Sequence, residues 1–357
     1  MHARTHTGDG AKATSSVMPV QREDVCGAPP TDTHTHMSAD HTTGARTLGS
    51  ADDVWQFNAW YVCPLSHSRD HVEPPPEHRA QVQTLLARQA EARVSDTDAH
   101  AYHEDPAKYW DTFYARHENR FFKDRKWLHL EFPELLAATK RDAPPTTILE
   151  VGCGAGNTVF PLLRVNENPG LRLIACDYAP QAVHVIRSHP LYTSPSRIGT
   201  CEAHVWDLSA KSKNGSLLHL PPGVEPGQVD IIVLIFVLSA LHPDEWAAAA
   251  DNVYQMLRPR TGIVLLRDYG RHDLPQLRFK KNRLLQDNFY VRGDGTRVYF
   301  FEADELYRMF DAAPKTSPHQ HAHFQTLQMA VDRRLLVNRK ERKQMYRVWL
   351  QAKLQKQ

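Results

Sequence analysis

No apolar run in this 357-residue chain approaches the ~18 consecutive residues that a membrane-spanning helix needs, and the N-terminus lacks the apolar segment of a secretory signal. Asp9, Glu23, Asp24 and Asp32 interrupt the same region, whereas mitochondrial leaders are rich in arginine and poor in acids. These absences point to the cytoplasm. Cysteine is sparse as well: Cys26, Cys63, Cys153, Cys176 and Cys201 are odd in number, widely spaced and without a C-x-x-C pair. That excludes a zinc knuckle and a disulfide framework and fits a reducing compartment. The 21 histidines give no metal site, since His34 and His36 sit in a stretch of scattered polar residues, and no metal is expected. Large apolar residues are scarce from Met1 to Ala51, so that segment cannot bury enough surface to offset its chain entropy and reads as a disordered tail. Net charge is only +2, too little to announce a nucleic-acid binder from the sum alone.

The remaining residues carry nearly all the aromatic and apolar content, enough for one large domain with embellishments. They divide into a helical extension over 52–145 and a core over 146–357 with a basic C-terminal segment. Charge is uneven. Residues 331–357 hold nine Lys or Arg against Asp332 and Glu341, and residues 271–297 hold seven against three Asp. Such clusters fit either a solvated helix face or a phosphate-binding surface.

Helical spacing marks Gln81 to Val94, Pro106 to His117 and Lys126 to Lys140. Thr146 to Val151 (TTILEV) then reads as a strand, followed by a glycine cluster and a helix over Asn157 to Leu163. Further strands are expected at Leu171 to Ala175, Cys201 to Trp206, Val229 to Leu238 and Gly262 to Arg267, with helices at Pro180 to Ser188 and Asp244 to Leu257. This alternation predicts an α/β, Rossmann-like fold with a mostly parallel seven-stranded sheet. Asn288 to Arg292 and Arg297 to Phe301 flank Gly293-Asp294-Gly295, a hairpin signal read as the antiparallel edge that closes the sheet.

The first loop, Gly152-Cys153-Gly154-Ala155-Gly156, has the spacing G-x-G-x-G and not the G-x-G-x-x-G that cradles a dinucleotide pyrophosphate. A structural turn would also explain three glycines. Asp177 ends the second strand, where a carboxylate can accept hydrogen bonds from both hydroxyls of a ribose, and Asp207 ends the third. No Lys or Arg accompanies the glycines, so a nucleoside cofactor without phosphates suits the crevice, and S-adenosyl-L-methionine is one. Trp110 and Tyr114 lie one helical turn apart, suited either to closing over a cofactor or to ordinary packing. Phe121-Phe122-Lys123-Asp124-Arg125 interleaves aromatics with charges, which fits stacking and phosphate contact on RNA or a core edge with solvated charges.

Several segments resemble the tRNA N3-methylcytidine methyltransferases that act on the anticodon-loop cytidine at position 32. They are Tyr109 to Leu135, Ile148 to Leu163, Cys176 to Pro190, Leu234 to Pro243, Leu266 to Phe279, Asp287 to Phe301 and Asp332 to Lys353. The resemblance implies a class I S-adenosyl-L-methionine-dependent methyltransferase. It places cofactor contacts on Trp110, Tyr114, Gly152, Asp177, Asp207, Leu208 and Ile235, with Gly154 beside them in the loop. tRNA is the implied partner, with tRNA-Thr, tRNA-Ser or both as substrates and a seryl-tRNA synthetase as a possible guide. Direct transfer to N3 needs no general base, because that nitrogen carries a free lone pair near neutral pH. Asp268 is the candidate to stabilise the positive product base or to meet its exocyclic amine, and Arg267 or Arg278 to meet its O2 or a phosphate; a structural ion pair would explain any one of them equally well. Lys123, Arg125, Arg333, Arg334, Arg339 and Lys340 are candidates for RNA backbone contact. Two departures stand out: the family's Gly-Gly before the fifth strand is here Arg260-Thr261-Gly262, and Tyr61 to Arg69 separates Asn58-Ala59-Trp60 from Asp70-His71-Val72. A protein or small-molecule methyltransferase would share the crevice without needing the basic segments. A noncatalytic RNA-binding subunit would need the basic surface but not the glycines and acids.

Overall fold

The computed structural model describes residues 68–70, 72–125, 127–210, 219–311, 323–338, 341 and 343–357. The expected N-terminal tail, most of the Tyr61 to Arg69 insertion, and the candidates Arg339 and Lys340 lie outside the described residues.

A short strand β1 (Ser68–Asp70) leads into helix α1 (Pro76–Ala90), which starts five residues earlier than its apolar pattern predicts. Pro76 occupies the first helical position, where its fixed φ suits the helix and its missing N–H costs nothing. α2 (Asp96–Glu104) follows, capped by the Ser95 hydroxyl, which accepts from the Asp98 N–H at 3.2 Å. Its Asp-Thr-Asp-Ala-His sequence carries no apolar stripe, so periodicity does not mark it. α3 (Pro106–His117) has the predicted bounds, set by the Asp105 side-chain cap and Pro106 at its first position. The helix expected over Lys126 to Lys140 is instead two turns, α4 (Leu128–Glu131) and α5 (Pro133–Ala137), because Pro133 has no N–H to continue the ladder.

Strands β2 (Thr146–Val151), β3 (Leu171–Asp177), β4 (Thr200–Val205), β5 (Ile231–Ile235) and β6 (Ile263–Tyr269) are parallel, in the spatial order β4-β3-β2-β5-β6. Helices α6 (Val159–Val165), α7 (Pro180–Arg187), α8 (Pro190–Thr193) and α9 (Trp246–Met256) join them. β5 reads IIVLI and is buried throughout, as a central strand covered on both faces must be. The order reverses between β2 and β5, which opens a crevice at the carboxyl ends of the strands.

The antiparallel edge exists, but other residues form it. β10 (Phe324–Asn338) and β11 (Lys343–Lys356) make a long hairpin, with β11 antiparallel to β6 and β1 on the outer side of β10. The described main sheet therefore has eight strands, seven plus β1. The Gly293-Asp294-Gly295 hairpin forms as β8 (Phe289–Val291) and β9 (Arg297–Tyr299), yet it joins β7 (Leu284–Gln286) in a separate three-stranded sheet. It follows the short helix α10 (Leu274–Arg278) and precedes α11 (Ala303–Asp311). Buried Gln89 of α1 ties this small sheet down: its amide donates to the carbonyls of Gln276 and Phe279, and its carbonyl accepts from the Tyr290 hydroxyl at 2.9 Å. The basic C-terminal segment is thus strand, not helix. Leu350, Ala352 and Leu354 alternate inward, and Lys and Arg take other positions along the two long strands.

Arg260, in the Arg260-Thr261-Gly262 turn where the resembling family has Gly-Gly, sits at φ 64° before β6. Left-handed backbone costs a side-chain-bearing residue about 1–2 kcal/mol, part of which glycine returns through unfolded-state entropy. Arg260→Gly is expected to stabilise the fold by about 0.5–1 kcal/mol. Urea unfolding of the two proteins checks this, and an unchanged or lower midpoint would contradict it.

Candidate functional site

The loops after the parallel strands line the crevice. After β2 the chain turns through Gly152, Gly154 and Gly156, all at positive φ. A Cβ on Gly154 would land on the Tyr114 hydroxyl, and one on Gly152 would stand 2.6 Å from a methyl of Val237, so both positions require glycine sterically as well as conformationally. The Gly154 N–H donates to one Asp177 oxygen at 2.9 Å and the Ala179 N–H to the other at 3.0 Å. Each oxygen keeps a further lone pair, so the carboxylate is held in place while still able to receive two ribose hydroxyls. Burial pushes the Asp177 carboxyl up to about 6, against the pull of its backbone donors.

After β4, one oxygen of Asp207 accepts from the N–H and hydroxyl of Ser209, both at 2.8 Å. Leu208 is buried, and its carbonyl accepts from the Asn252 amide at 2.7 Å. That amide also reaches the Ala210 carbonyl at 3.1 Å, so α9 fixes the strip that follows Asp207. Ile235 is buried at the end of β5, and the next residue, Phe236, has φ 60°, a strained turn beside the crevice.

α3 closes over the loop. Trp110 and Tyr114 stack with centroids 6.1 Å apart and planes at 25°. Asp111 between them accepts from the Gln181 N–H at 2.6 Å, locking α3 to the start of α7. Phe121 and Phe122 pack on Phe113 from outside and remain 44% and 38% exposed, an aromatic shelf next to exposed Lys123. Nothing in the residue pattern singles out Asp111. Asn252 leaves no clear signal either, since it is one of three polar residues, with Asp251 and Gln255, in α9.

The structure distributes the remaining candidates unevenly. Arg125 is not on the shelf: its guanidinium pairs with buried Glu150 at 3.0 Å and the Thr158 hydroxyl at 2.9 Å beneath the loop. Burial raises the Glu150 carboxyl to about 7, with Arg125 pulling it down. Arg267 is 4% exposed, paired with Asp332, bonded to Gln351 at 2.6 Å, and held between Trp127 and Trp349 at 5.0 and 4.8 Å. Both arginines are committed to the fold. Asp268 is 1% exposed and receives the N–H groups of Ser239 at 3.0 Å and Tyr269 at 2.8 Å, which ties the loop after β5 to the end of β6. Burial raises its carboxyl to about 6. Arg334 pairs with Asp332 and Glu131, Arg333 with Glu73, and Arg278 is exposed beside Met345. Among the described residues no group of three or more His, Cys, Asp or Glu is placed to hold a metal ion, and no helix is long and apolar enough to cross a membrane.

A family model described as a methyltransferase domain matches residues 149–263, the stretch from the end of β2 to the start of β6. Over 319 residues the chain is 44% identical to the tRNA N(3)-methylcytidine methyltransferase trm140 of Schizosaccharomyces pombe, covering 89% of this chain and 93% of that one. The chain belongs to the tRNA N3-methylcytidine methyltransferase family. A human member, tRNA N(3)-cytidine methyltransferase METTL2B, is 36% identical over 87% of this chain and 92% of its own length. The tRNA(Thr) (cytosine(32)-N(3))-methyltransferase of Saccharomyces cerevisiae is 47% identical over 87% of this chain, which spans 45% of that longer protein.

S-adenosyl-L-methionine is accordingly the cofactor, and the crevice of this family member fits it. The loop presents backbone where phosphates would demand cations, and Asp177 retains acceptor capacity for a ribose. In the ribose-binding role expected of Asp177 only the carboxylate accepts from both hydroxyls, so affinity is expected to be full about one pH unit above the Asp177 value of about 6 and to fall as the pH drops through it. Calorimetric titration of S-adenosyl-L-methionine from pH 5 to 8 checks this separately from turnover. A flat profile would contradict it.

Proposed function

We propose that this protein transfers the methyl group of S-adenosyl-L-methionine to N3 of a cytidine in tRNA, at position 32 of the anticodon loop of tRNA-Thr, tRNA-Ser or both. The observation that carries this is the extent of the likeness: it runs over 89% of the chain and so includes segments far outside residues 149–263. Those outer segments are the ones that must select an acceptor.

When bound, S-adenosyl-L-methionine supplies an electrophilic methyl group. Asp177, Gly152, Gly154, Asp207, Leu208 and Ile235 hold and orient the cofactor, and Trp110 and Tyr114 cover it. Within the extension over 52–145, α3 is this lid, and Phe121 to Lys123 belong to the RNA-contacting surface. Cytosine N3 presents a lone pair, so no residue has to remove a proton. The chain supplies proximity, alignment and a dry pocket. N3 lies on the pairing edge, which requires an unpaired base, and the shelf of Phe121 and Phe122 gives such a base an aromatic surface on which to stack. Lys123 stands beside that shelf for a phosphate. The buried charge of Asp268, at the end of β6, favours the positive charge that the product base acquires. Arg278 and Arg333 extend the cationic surface at the hairpin, the same role is proposed for Arg339 and Lys340, and Arg334, paired with Asp332 and Glu131, is held in the fold beside Arg267. We place the reaction in the cytoplasm. For serine tRNAs, a seryl-tRNA synthetase that presents its tRNA belongs to the same proposal.

Incubation of the full chain with S-adenosyl-L-methionine and either tRNA-Thr or its cytidine-32→uridine variant tests the position. Methyl incorporation into the first and not the second is expected. Equal incorporation into both would overturn the assignment.

A further inference from the structure

On the opposite face of the hairpin from Arg267 lies a cavity of about 380 Å³, lined among others by Glu73, His78, Arg79, Arg271, His272 and Arg333. A second cavity of about 370 Å³ shares Arg271, His272 and Arg333 with it. The walls come from α1, from β10 and from the loop that follows β6, so the cavity begins two residues beyond Tyr269 at the end of that strand.

The loop wall is rigid. The Gly270 N–H donates to the Val348 carbonyl at 2.9 Å, and Asp273 accepts from the Val348 N–H at 2.9 Å and from Arg347 at 2.8 Å. His272, between these anchors, is held at φ 68°, a left-handed backbone that histidine adopts only when its surroundings impose it. Burial first, and then Arg271, His78 and Arg333 against Glu302, keep its imidazole below the ordinary value. The His78 ring rests on Tyr346 in the cavity wall, with centroids 4.4 Å apart and planes tilted by 45°.

Three arginines, Arg79, Arg271 and Arg333, and one carboxylate, Glu73, line the first cavity. Arg271 is held from behind, by Glu305 at 2.8 Å and Glu302 at 3.4 Å. Arg79 and Arg333 share a single carboxylate, Glu73, at 3.5 and 3.1 Å. Glu73 and Arg79 are exposed, so their pairing contributes little to stability and is readily exchanged. A carboxylate that bridges two arginines at a cavity mouth occupies the place of an oxyanion.

We propose that this cavity receives a backbone phosphate of the bound tRNA, with Arg79, Arg333 and His272 as its donors and Glu73 as the internal carboxylate that the phosphate displaces. This rests on the tRNA reading above and adds to it a second point of attachment, beside the crevice and distinct from the aromatic shelf. Glu73 thereby sets a threshold: the pocket opens to an RNA strand that is more strongly anionic than one carboxylate.

The test is binding of unfractionated tRNA to the full chain across a potassium chloride series, without methyl transfer. Arg79→Glu is expected to weaken binding by about tenfold and to flatten the salt dependence by about one contact, a slope change of about 0.7–0.9. Glu73→Gln, which removes the competing charge, is expected to tighten it. Both variants should bind S-adenosyl-L-methionine as the wild type does, which shows that they are folded. Wild-type affinity and slope in both variants would overturn the proposal. So would stabilisation of the wild type by inorganic phosphate combined with unaltered tRNA binding by Arg79→Glu, which would mark a site for free phosphate. Failure to form 3-methylcytidine would sink the proposed reaction and leave these binding results standing.

Discussion

Asp177→Ala is expected to remove S-adenosyl-L-methionine binding while leaving a folded protein. In the proposed site the carboxylate offers its free lone pairs to two ribose hydroxyls, and hydrogen bonds to a charged group contribute about 1.5–3 kcal/mol each. Their joint loss is about 3–6 kcal/mol, or roughly two to four orders of magnitude in Kd. Stability of the free protein should change far less. Asp177 is buried at a cost, visible in its raised pKa, and alanine relieves that cost even as the Gly154 and Ala179 N–H groups lose their acceptor. Thermal unfolding separates the two effects. The wild type should gain about 2.7 kcal/mol at a ligand concentration of about 100 times Kd, and the variant nothing. A variant that unfolds without ligand at a much lower temperature, or one still stabilised by ligand, would contradict this account.

Arg267→Ala is expected to act on the fold and not on the substrate. Its guanidinium pairs with Asp332, bonds Gln351 and lies between two tryptophan rings. Truncation leaves a buried carboxylate short of one partner and a gap between Trp127 and Trp349. Removing one member of a buried pair costs about 3–5 kcal/mol, and the lower end applies because Arg334 remains 3.0 Å from Asp332. A fall in Tm of roughly 6–12 °C is expected for a domain of this size. Arg267→Lys should recover only part of it, since lysine keeps the charge but loses the planar fork and the stack. An unchanged Tm with a raised KM for tRNA would show that Arg267 meets the substrate after all.

These aspartates and arginines also mark how far the site is legible from residue order alone. The positions of Asp177 and Asp207 were legible because one ends β3 and the other lies two residues beyond β4, at the edge of the sheet where the crevice lies. The glycine loop was legible for the same reason, and its departure from the dinucleotide spacing excluded phosphates. Arg125 and Arg267 each admitted two readings, a substrate contact or a structural ion pair. Residue order could not choose, because their partners, Glu150 and Asp332, lie 25 and 65 residues away, and only the fold brings them together. The glycine turn identified the two short strands that flank it but not their neighbours, and the long strands β10 and β11 were not anticipated. The Gly293-Asp294-Gly295 turn makes a hairpin in either sheet, and its place was decided by contacts such as Gln89 with Tyr290, 201 residues apart. Asp111 and Asn252, which lock the lid and the strip after Asp207, are single polar residues in helices, a pattern that solvent-facing residues share.

The most direct measurement is nucleoside mass spectrometry of tRNA after incubation with isotopically labelled S-adenosyl-L-methionine and either the wild type or Asp177→Ala. Label in 3-methylcytidine with the wild type, and none with the variant, is the predicted result. Label in a different nucleoside, or equal 3-methylcytidine from both proteins, would contradict it.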